Sequence, residues 1–397
     1  MSDFAKYKRA ARGDIAYNTM RMWQGAIGVT PVDGLASPAY VVARPFKEVE
    51  ARYFVRLFRT DAYLGEIDAC SRGIVKDRNR LYWDQFKQIA TPCPPSLEQA
   101  AIVQFLDWAT GRLDRAIRAK QEVIALLDEQ KQAIIQHAVT HGLDPSVPLK
   151  PSGIPWLGDI PQHWEVRRAK LVLRETDSRS STGAESLLRV SQYTGVTPRA
   201  SEDSTGMPRA RSLVGYKLVS EGDLVVNIMI AWNGSLGTSR YAGLVSPAYC
   251  VYRISARQNS WYFHHLLRSK LYGARIKQAS TGVIESRLRL YSDALGCIEM
   301  LIPPYNEQCK IVDRIESESS GLIYAVSRLE REVELLREYR TRLVADVVTG
   351  KLDVREAAAL LPDEDCAADR VHEEAEPGDD VNALDDDLDL VPEEAEA

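Results

Sequence analysis

The chain aligns with itself at an offset of 209 residues, and that self-match limits what it can fold into. GDIAYNTMRMWQGAIGVTPVDGLASPAYVVARP (Gly13–Pro45) matches GDLVVNIMIAWNGSLGTSRYAGLVSPAYCVYRI (Gly222–Ile254), with 15 of the 33 positions identical. The offset runs on without a gap to VTHGLD (Val139–Asp144), which faces VTGKLD (Val348–Asp353). Solenoid units span about 20–50 residues, so each copy is domain-sized instead. The expectation is two versions of one module that engage two related targets.

Charge divides the chain differently. The 397 residues carry 50 Lys/Arg and 56 Asp/Glu, but 17 of the acids and only one base, Arg370, lie from Glu356 onward. The remaining body therefore has a net charge of +10, the electrostatic footprint of a polyanion binder. The end itself (DDVNALDDDLDLVPEEAEA) is too charged and too poor in aromatics to bury a core, so residues 354–397 are expected to form a disordered acidic tail. Such a tail serves solubility or autoinhibition. No apolar run approaches the roughly 20 residues of a membrane span, and MSDFAKYKRAARGD is no signal peptide. Cys70, Cys93, Cys250, Cys297, Cys309 and Cys366 lack metal-like spacing. They read as reduced thiols in a cytoplasmic protein with no metal site.

Each copy combines a β-rich globular part with a long helix. In Gly13–Pro45 short apolar runs such as AYVVA are bounded by Gly, Pro and Asp, the pattern of short strands and turns. Val49–Tyr63 predicts a helix with Tyr53, Leu57 and Leu64 on one side, matched by Trp261–Tyr272. A loop of small and basic residues follows, Ser71–Arg78, facing Ser280–Arg287. The pairs Pro94-Pro95 and Pro303-Pro304 then stand where proline opens a helix. In the second copy Leu322, Val326, Leu329, Val333, Leu336, Leu343 and Val347 step by four and three, with Arg340 interrupting, which is a heptad seam. The first copy shows Leu113, Ile117, Lys120, Ile124, Leu127, Lys131, Ile134 and Ala138, interrupted by two lysines. About 40 residues at 1.5 Å each give a rod of roughly 60 Å. The two seams either pack on each other antiparallel or zip to another protein.

Gly142–Val166 contains five prolines and predicts a stiff, extended linker ending in an apolar patch around Trp156 and Trp164. The expected layout is a globular part at 1–95, a long helix at 96–141, linker and second globular part at 142–302, and a distal helix at 303–353. Residues 155–221 have almost no counterpart in the first copy, so the first globular part is expected to lack its N-terminal half.

No catalytic constellation is present. The chain has no GxxxxGK[ST] loop, GxSxG or HExxH, and no NPPF or DPPY of the kind an amine-directed methyltransferase needs. Its six histidines are scattered, and the adjacent His264-His265 fall on an amphipathic helix that favours core packing. What remains suits nucleic acid. Asn18 and Gln24 surround Met20 and Trp23, as Asn227 and Asn233 surround Met229 and Trp232. Asn and Gln bond adenine bidentately, and Arg does the same for guanine. Arg189, Gln192, Tyr193, Thr194, Arg199, Arg209 and Arg211 add to the set. A basic loop is also an ordinary solvated surface. The repeat sorts the candidates. Identical pairs (Asn18/Asn227, Trp23/Trp232, Gly25/Gly234, Gly73/Gly282) suit scaffold or phosphate contact. Differing slots (Arg21/Ile230, Gln24/Asn233, Arg72/Thr281, Lys76/Glu285) suit the reading of different bases. Arg78/Arg287 and Arg80/Arg289 keep their charge, as phosphate contacts would.

SGIPWLGDIPQHWEVRRAKLV (Ser152–Val172) resembles the opening of a target-recognition domain in specificity subunits of type I restriction-modification systems. PPSLEQAAIVQFL (Pro94–Leu106) and PPYNEQCKIVDRI (Pro303–Ile315) resemble the entries to their central helices. The resemblance covers Gly13 to about Asp353. It implies an α+β fold: two α/β recognition domains separated by two long antiparallel coiled-coil helices, with an internal pseudo-two-fold repeat. It implies a non-catalytic subunit that reads a bipartite site in double-stranded DNA, or one half-site if the first domain is truncated, with the rod setting the gap. Methylation subunits (two of them) and restriction or translocase subunits are the implied partners, with self-association through the helices. S-adenosylmethionine, ATP and Mg2+ would belong to those partners, and no cofactor to this chain. A fragment of a fused methyltransferase-nuclease, and a coiled-coil scaffold with no DNA role, are the competing readings.

Overall fold

The computed structural model describes residues 6–73, 79–199, 212–284 and 287–362; residues 363–397 of the acidic tail lie outside them. In chain order the elements begin with β1 (Lys8–Ala10), β2 (Ile15–Asn18), β3 (Ile27–Val29), β4 (Gly34–Ala36), β5 (Tyr40–Ala43), α1 (Ala51–Phe58), α2 (Asp61–Cys70), α3 (Trp83–Phe86) and the long α4 (Ser96–His141). Next come β6 (Leu149–Pro151), β7 (Asp159–Pro161), β8 (Glu165–Arg168), β9 (Leu173–Thr176), β10 (Leu188–Ser191), β11 (Gly195–Pro198), β12 (Lys217–Val219) and β13 (Leu224–Val226). The last group is β14 (Leu236–Thr238), β15 (Gly243–Val245), β16 (Cys250–Ile254), α5 (Ser260–Arg268), α6 (Lys270–Ala279), α7 (Ser292–Cys297), β17 (Glu299–Ile302), the long α8 (Tyr305–Val348) and α9 (Arg355–Ala359).

The described residues form two compact units, 6–124 with 328–362, and 125–327. Each unit takes in one end of each long helix. In the first, β1 pairs with β4, and β3-β2-β5 form an antiparallel sheet. Its core gathers Tyr17, Met22, Tyr53, Leu57, Ile67 and Leu81 against Ile102, Val103 and Leu106 of α4 and Leu343 and Val347 of α8. Burying such side chains contributes about 1.5–3 kcal/mol each. The second unit carries the sheet β14-β13-β16-β9 and the pairs β10-β11, β12-β15, β17-β8 and β6-β7. Its core joins Trp164, Leu224, Tyr262, Phe263, Tyr272 and Met300 to Val139 of α4 and Ile311 and Ile315 of α8. Among the described residues, β9, β10 and β11 have no counterpart in the first unit.

The Pro-Pro-x-x-Glu-Gln entries explain themselves in three dimensions. Gln99 is buried, donates Nε2–H to the Pro94 carbonyl at 2.7 Å and accepts from the Glu50 amide at 2.9 Å. Gln308 repeats this with the Pro303 carbonyl and the Asn259 amide, at 2.9 and 2.8 Å. A buried amide with both ends satisfied pins the helix start to the globular part.

Within the first unit the helices pair antiparallel. Glu98 meets Arg355, Asp114 meets Arg340 and Lys120 meets Glu332, rising along α4 while falling from α9 back along α8. In the second unit Ala138 and Val139 near the end of α4 share a core with Ile311, Val312 and Ile315 near the start of α8, in the same sense. The seam residues are the protected ones, with Ile117, Ala138, Val333, Leu343 and Val347 buried and the others half-buried. Two of the charged interruptions form ion pairs across it: Lys120 with Glu332 at 2.6 Å and Arg340 with Asp114 at 3.2 Å. Lys131 bonds Asp128 on its own helix.

Three expectations are corrected. Residues 354–362, expected to open the disordered tail, are folded: Val354 is buried in the first unit's core and α9 follows at Arg355–Ala359. Val49–Tyr63 is not one helix but α1 and α2, broken at Arg59–Thr60, where the Thr60 hydroxyl donates to the Leu57 carbonyl and competes with the helical ladder. Ser269 does the same to Leu266 between α5 and α6. Gly142–Val166 is not an extended linker either. β6 and β7 pair as a hairpin, and Trp164 is fully buried, its indole N–H donating to the Glu307 carboxylate at 3.1 Å. Prolines are tolerated there because this two-stranded ribbon consists of edges.

Candidate nucleic-acid interface

Each unit builds the same turn from the same residues. The Asn18 carboxamide accepts from the Met20 amide at 3.0 Å, and Asn227 from Met229 at 3.1 Å. A short 3-10 turn follows, Met22–Gln24 or Ala231–Asn233, closed by Gly25 (φ +80°) or Gly234 (φ +88°). A side chain at those two glycines would be strained. Asn18 and Asn227 thus shape the turn, and Asn227 is buried. The turn exposes Arg21 and Gln24 in the first unit and leaves Ile230 and Asn233 half-buried in the second. Trp23 donates to the Met20 carbonyl at 3.0 Å, whereas Trp232 is half-buried with the Lys277 ammonium 5.2 Å over its ring.

A second loop is tied beside that turn in both units. Arg72 and Arg80 exchange backbone hydrogen bonds, as do Thr281 and Arg289. The loop they close is anchored by the Leu81 amide to the Thr19 carbonyl and by the Leu290 amide to the Ile228 carbonyl, each at 2.9 Å. Arg72, Arg80, Thr281 and Arg287 are exposed; Arg289 is half-buried and donates to the Leu288 carbonyl. Val283, Ile284 and Tyr291 are exposed apolar neighbours. Lys76, Arg78, Arg209, Arg211 and Glu285 lie outside the described residues.

Among the described residues, only the second unit has a third loop, the turn Gln192-Tyr193-Thr194 between β10 and β11. One residue that the sequence reading passed over, Arg268, holds it. Its guanidinium donates through Nη1 to the Gly234 and Leu236 carbonyls, both at 2.8 Å, and through Nη2 to Gln192 and Tyr193 at 2.6 and 3.1 Å. The planar fork spans two loops that a lysine could not hold together. Burial lowers its pKa to about 10, so it stays charged at neutral pH. Tyr193 is left 76% exposed. Arg189 projects from β10 with Nε 3.4 Å from the Thr197 hydroxyl, and Arg199 follows β11 half-buried. The structure therefore brings Gln192, Tyr193, Trp232 and Asn233 to adjoining turns, with Thr281 and Arg289 on the loop tied to the second of these. The first unit has Arg59 in the same register, donating to the Ile27 carbonyl at 2.6 Å. An arginine recurring at the 209-residue offset, where each of the two matched helices ends, was the signal.

Behind the turns His264 accepts from the Thr238 amide at 3.2 Å, and desolvation holds it neutral, well below the ordinary histidine range. Burial likewise pushes His265 down to about 4. Among the described residues no group of three or more His, Cys, Asp and Glu is placed to hold a metal ion, and no helix is long and apolar enough to cross a membrane. The surface offers exposed cations, exposed aromatic and apolar side chains, and amide groups.

No protein-family model matches the chain. It is 24% identical over 369 residues to the EcoKI type I restriction enzyme specificity subunit of Escherichia coli K12, covering 81% of this chain and 72% of that protein. Among solved structures it superposes with a TM-score of 0.63 and 17% identity on a chain from work on complex assembly and conformational transition of the type I R-M system. That match covers 87% of this chain and 84% of the other and shows a shared fold. The HsdS subunit from Thermoanaerobacter tengcongensis aligns over 86% of this chain and 82% of its own length, with a TM-score of 0.44 and 19% identity.

Proposed function

We propose that this chain, which sequence and fold place with the specificity subunits of type I restriction-modification systems, binds double-stranded DNA through the loops described above and reads a target in two parts. The observation that carries this is the repeated pair of loops. Identical residues build the scaffold twice, while different side chains occupy the same slots: Arg21 against Ile230, Gln24 against Asn233, Arg72 against Thr281. Two copies of one frame with different readers suit two different half-sites. Arg80, Arg287 and Arg289 suit phosphate, which positions without specifying. Arg189, Gln192 and Tyr193 extend the second unit's reading surface, with Tyr193 suited to stacking or sugar contact. The chain contributes recognition and a scaffold. Methyl transfer and DNA cleavage, with S-adenosylmethionine, ATP and Mg2+, fall to partner subunits in the cytoplasm.

The first test is binding of purified chain to duplex DNA across a salt series. A protein that neutralises several phosphates loses affinity linearly in log–log salt, so a salt-independent signal, or none, refutes the reading. The second test is methylome sequencing after co-expression with the methylation subunit, comparing the chain with its Gln24→Asn and Asn233→Gln double variant. An altered recognition sequence is expected. An unchanged one sinks the slot assignment.

A further inference from the structure

The last turns of α4 carry two histidines that none of the contacts above uses. His137 and His141 stand four residues apart, so their side chains share one face of the helix, and both are exposed. Their rings lie nearly parallel, with 15° between the planes and 5.3 Å between centroids. With Glu129, Gln136 and Lys270 they line a cleft of about 310 Å³. The Thr140 hydroxyl fixes one ring. It gives its only proton to the Gln136 carbonyl at 2.6 Å, so toward His141 Nδ1, 2.7 Å away, it accepts. The proton of the neutral imidazole therefore sits on Nδ1, and the Nε2 lone pair is left free. Partial burial, with the neighbouring His137, lowers the His141 pKa and keeps that lone pair unprotonated at neutral pH.

The fold does not need this pair. At the 209-residue offset the end of α8 has Asp346 and Gly350 in the same positions. There Thr349 still donates to the Ala345 carbonyl at 2.6 Å, as Thr140 does to Gln136. The same helix end is thus built without histidine. We propose that His137 and His141 together chelate one divalent transition-metal ion of the class that prefers imidazole: Zn2+, Ni2+ or, most tightly, Cu2+. The distances suit it. Metal–nitrogen bonds of about 2.1 Å at a square or tetrahedral angle place two imidazole centroids roughly 4.5–5 Å apart. Rings 5.3 Å apart close on an ion by rotation about χ2, a soft torsion. Glu129 lies about 12 Å of helix rise from His137 and does not reach the same ion, so water or a small ligand completes the coordination. The bond from Nδ1–H to Thr140 is the outer support that a metal-binding histidine takes. An ion so held bridges the final turn of α4, whose carbonyls lack partners inside the helix, and stiffens that end.

The test uses the full chain, untagged and stripped with a chelator, titrated calorimetrically with zinc, nickel or copper(II) chloride at neutral pH. No DNA is present, so the result is independent of DNA recognition. One equivalent of ion should depend on the pair, with a Kd on the order of micromolar for Zn2+ and lower for Cu2+. His137→Gln and His141→Gln should each weaken that binding tenfold or more, whereas His372→Gln should leave it unchanged. Both positions are exposed, so the far-UV spectra of the variants should match the parent. Excess Zn2+ should raise the urea midpoint of the parent chain and of neither variant. In electron paramagnetic resonance the copper adduct should show coupling to two imidazoles. Absence of saturable binding of all three ions below about 1 mM overturns the proposal. So does an affinity that both variants leave unchanged, which would put the ion on cysteine thiols or elsewhere. A copper spectrum with one imidazole or none equally overturns it.

Discussion

Replacing Tyr262 by Phe removes one oxygen and leaves the ring in place, so it isolates a single hydrogen bond on which the helix geometry depends. The Tyr262 phenol donates to the Val139 carbonyl at 3.2 Å, and both residues are fully buried. Val139 lies within the last four residues of α4, whose carbonyls lack a partner inside the helix. The phenol therefore serves as a cap supplied from the globular part. The contact recurs with the copies exchanged: Tyr53 donates to the Val348 carbonyl at the end of α8 at 3.0 Å. Burial pushes the Tyr262 phenol well above its ordinary pKa, so it remains a donor across the working pH range. Deleting one partner of a buried hydrogen bond leaves the other unsatisfied, at about 1–3 kcal/mol. No ring-sized cavity adds to that figure. With a urea dependence of about 1–3 kcal/mol per molar, a loss near 2 kcal/mol moves a midpoint by roughly 1 M. Tyr262→Phe and Tyr53→Phe should each do this, with unchanged slope, and their effects should add, since they share no partner. Far-UV circular dichroism along a urea gradient measures it. A midpoint unmoved by Tyr262→Phe refutes the capping role. So does a Phe variant as damaging as Ala, because packing of the ring would then carry the whole effect.

Arg268→Lys should leave the far-UV spectrum intact while speeding amide exchange in the turns at 191–195 and 234–236 and weakening DNA binding about tenfold; unchanged affinity would separate that arginine from recognition. Leu244 on β15 is fully buried, whereas Leu35 at the same position of β4 is exposed. Leu244→Asp should cost more than about 3 kcal/mol, since it buries an unpaired charge, whereas Leu35→Asp should alter stability by less than about 0.5 kcal/mol. Equal effects in denaturation would contradict the difference in cover between the two positions. His264 and His265 are held neutral by burial, so between about pH 6.5 and pH 4 the unfolded chain binds more protons than the folded one. Stability should therefore fall as pH drops through that window, by up to about 1.4 kcal/mol per pH unit per histidine. His265→Leu should flatten the slope of midpoint against pH, and a midpoint flat from pH 7 to 4.5 in the parent chain would count against the burial.

Local pattern carried much of the architecture. The heptad stripe is legible because seam burial recurs every 3.5 residues along one helix, and Lys120, Lys131 and Arg340 register as interruptions without revealing their partners. Glu332 and Asp114, which answer two of them, sit more than 200 residues away in the chain. The proline-rich stretch at 142–166 misled because proline restrains its own φ but says nothing about which strand lies alongside. Thr60 and Ser269 broke the expected helices because a hydroxyl competes with the backbone for hydrogen bonds. Asn18 and Asn227 are candidate base contacts by residue type and scaffold or phosphate residues by their identity at the 209-residue offset; their carboxamides accept from the amide two residues on and shape the turn.

The sequence by itself determined that one module occurs twice, where each long helix begins, and which residues occupy equivalent slots. These are properties of neighbours and of periodicity, and they survive in one dimension. Only the tertiary structure decided that Arg268 binds two loops, that Tyr262 caps α4 from another element, and that Leu244 is covered while Leu35 is not. Each depends on backbone carbonyls or apolar surface brought together from distant parts of the chain. Identical residues at an identical offset can therefore be core in one copy and surface in the other.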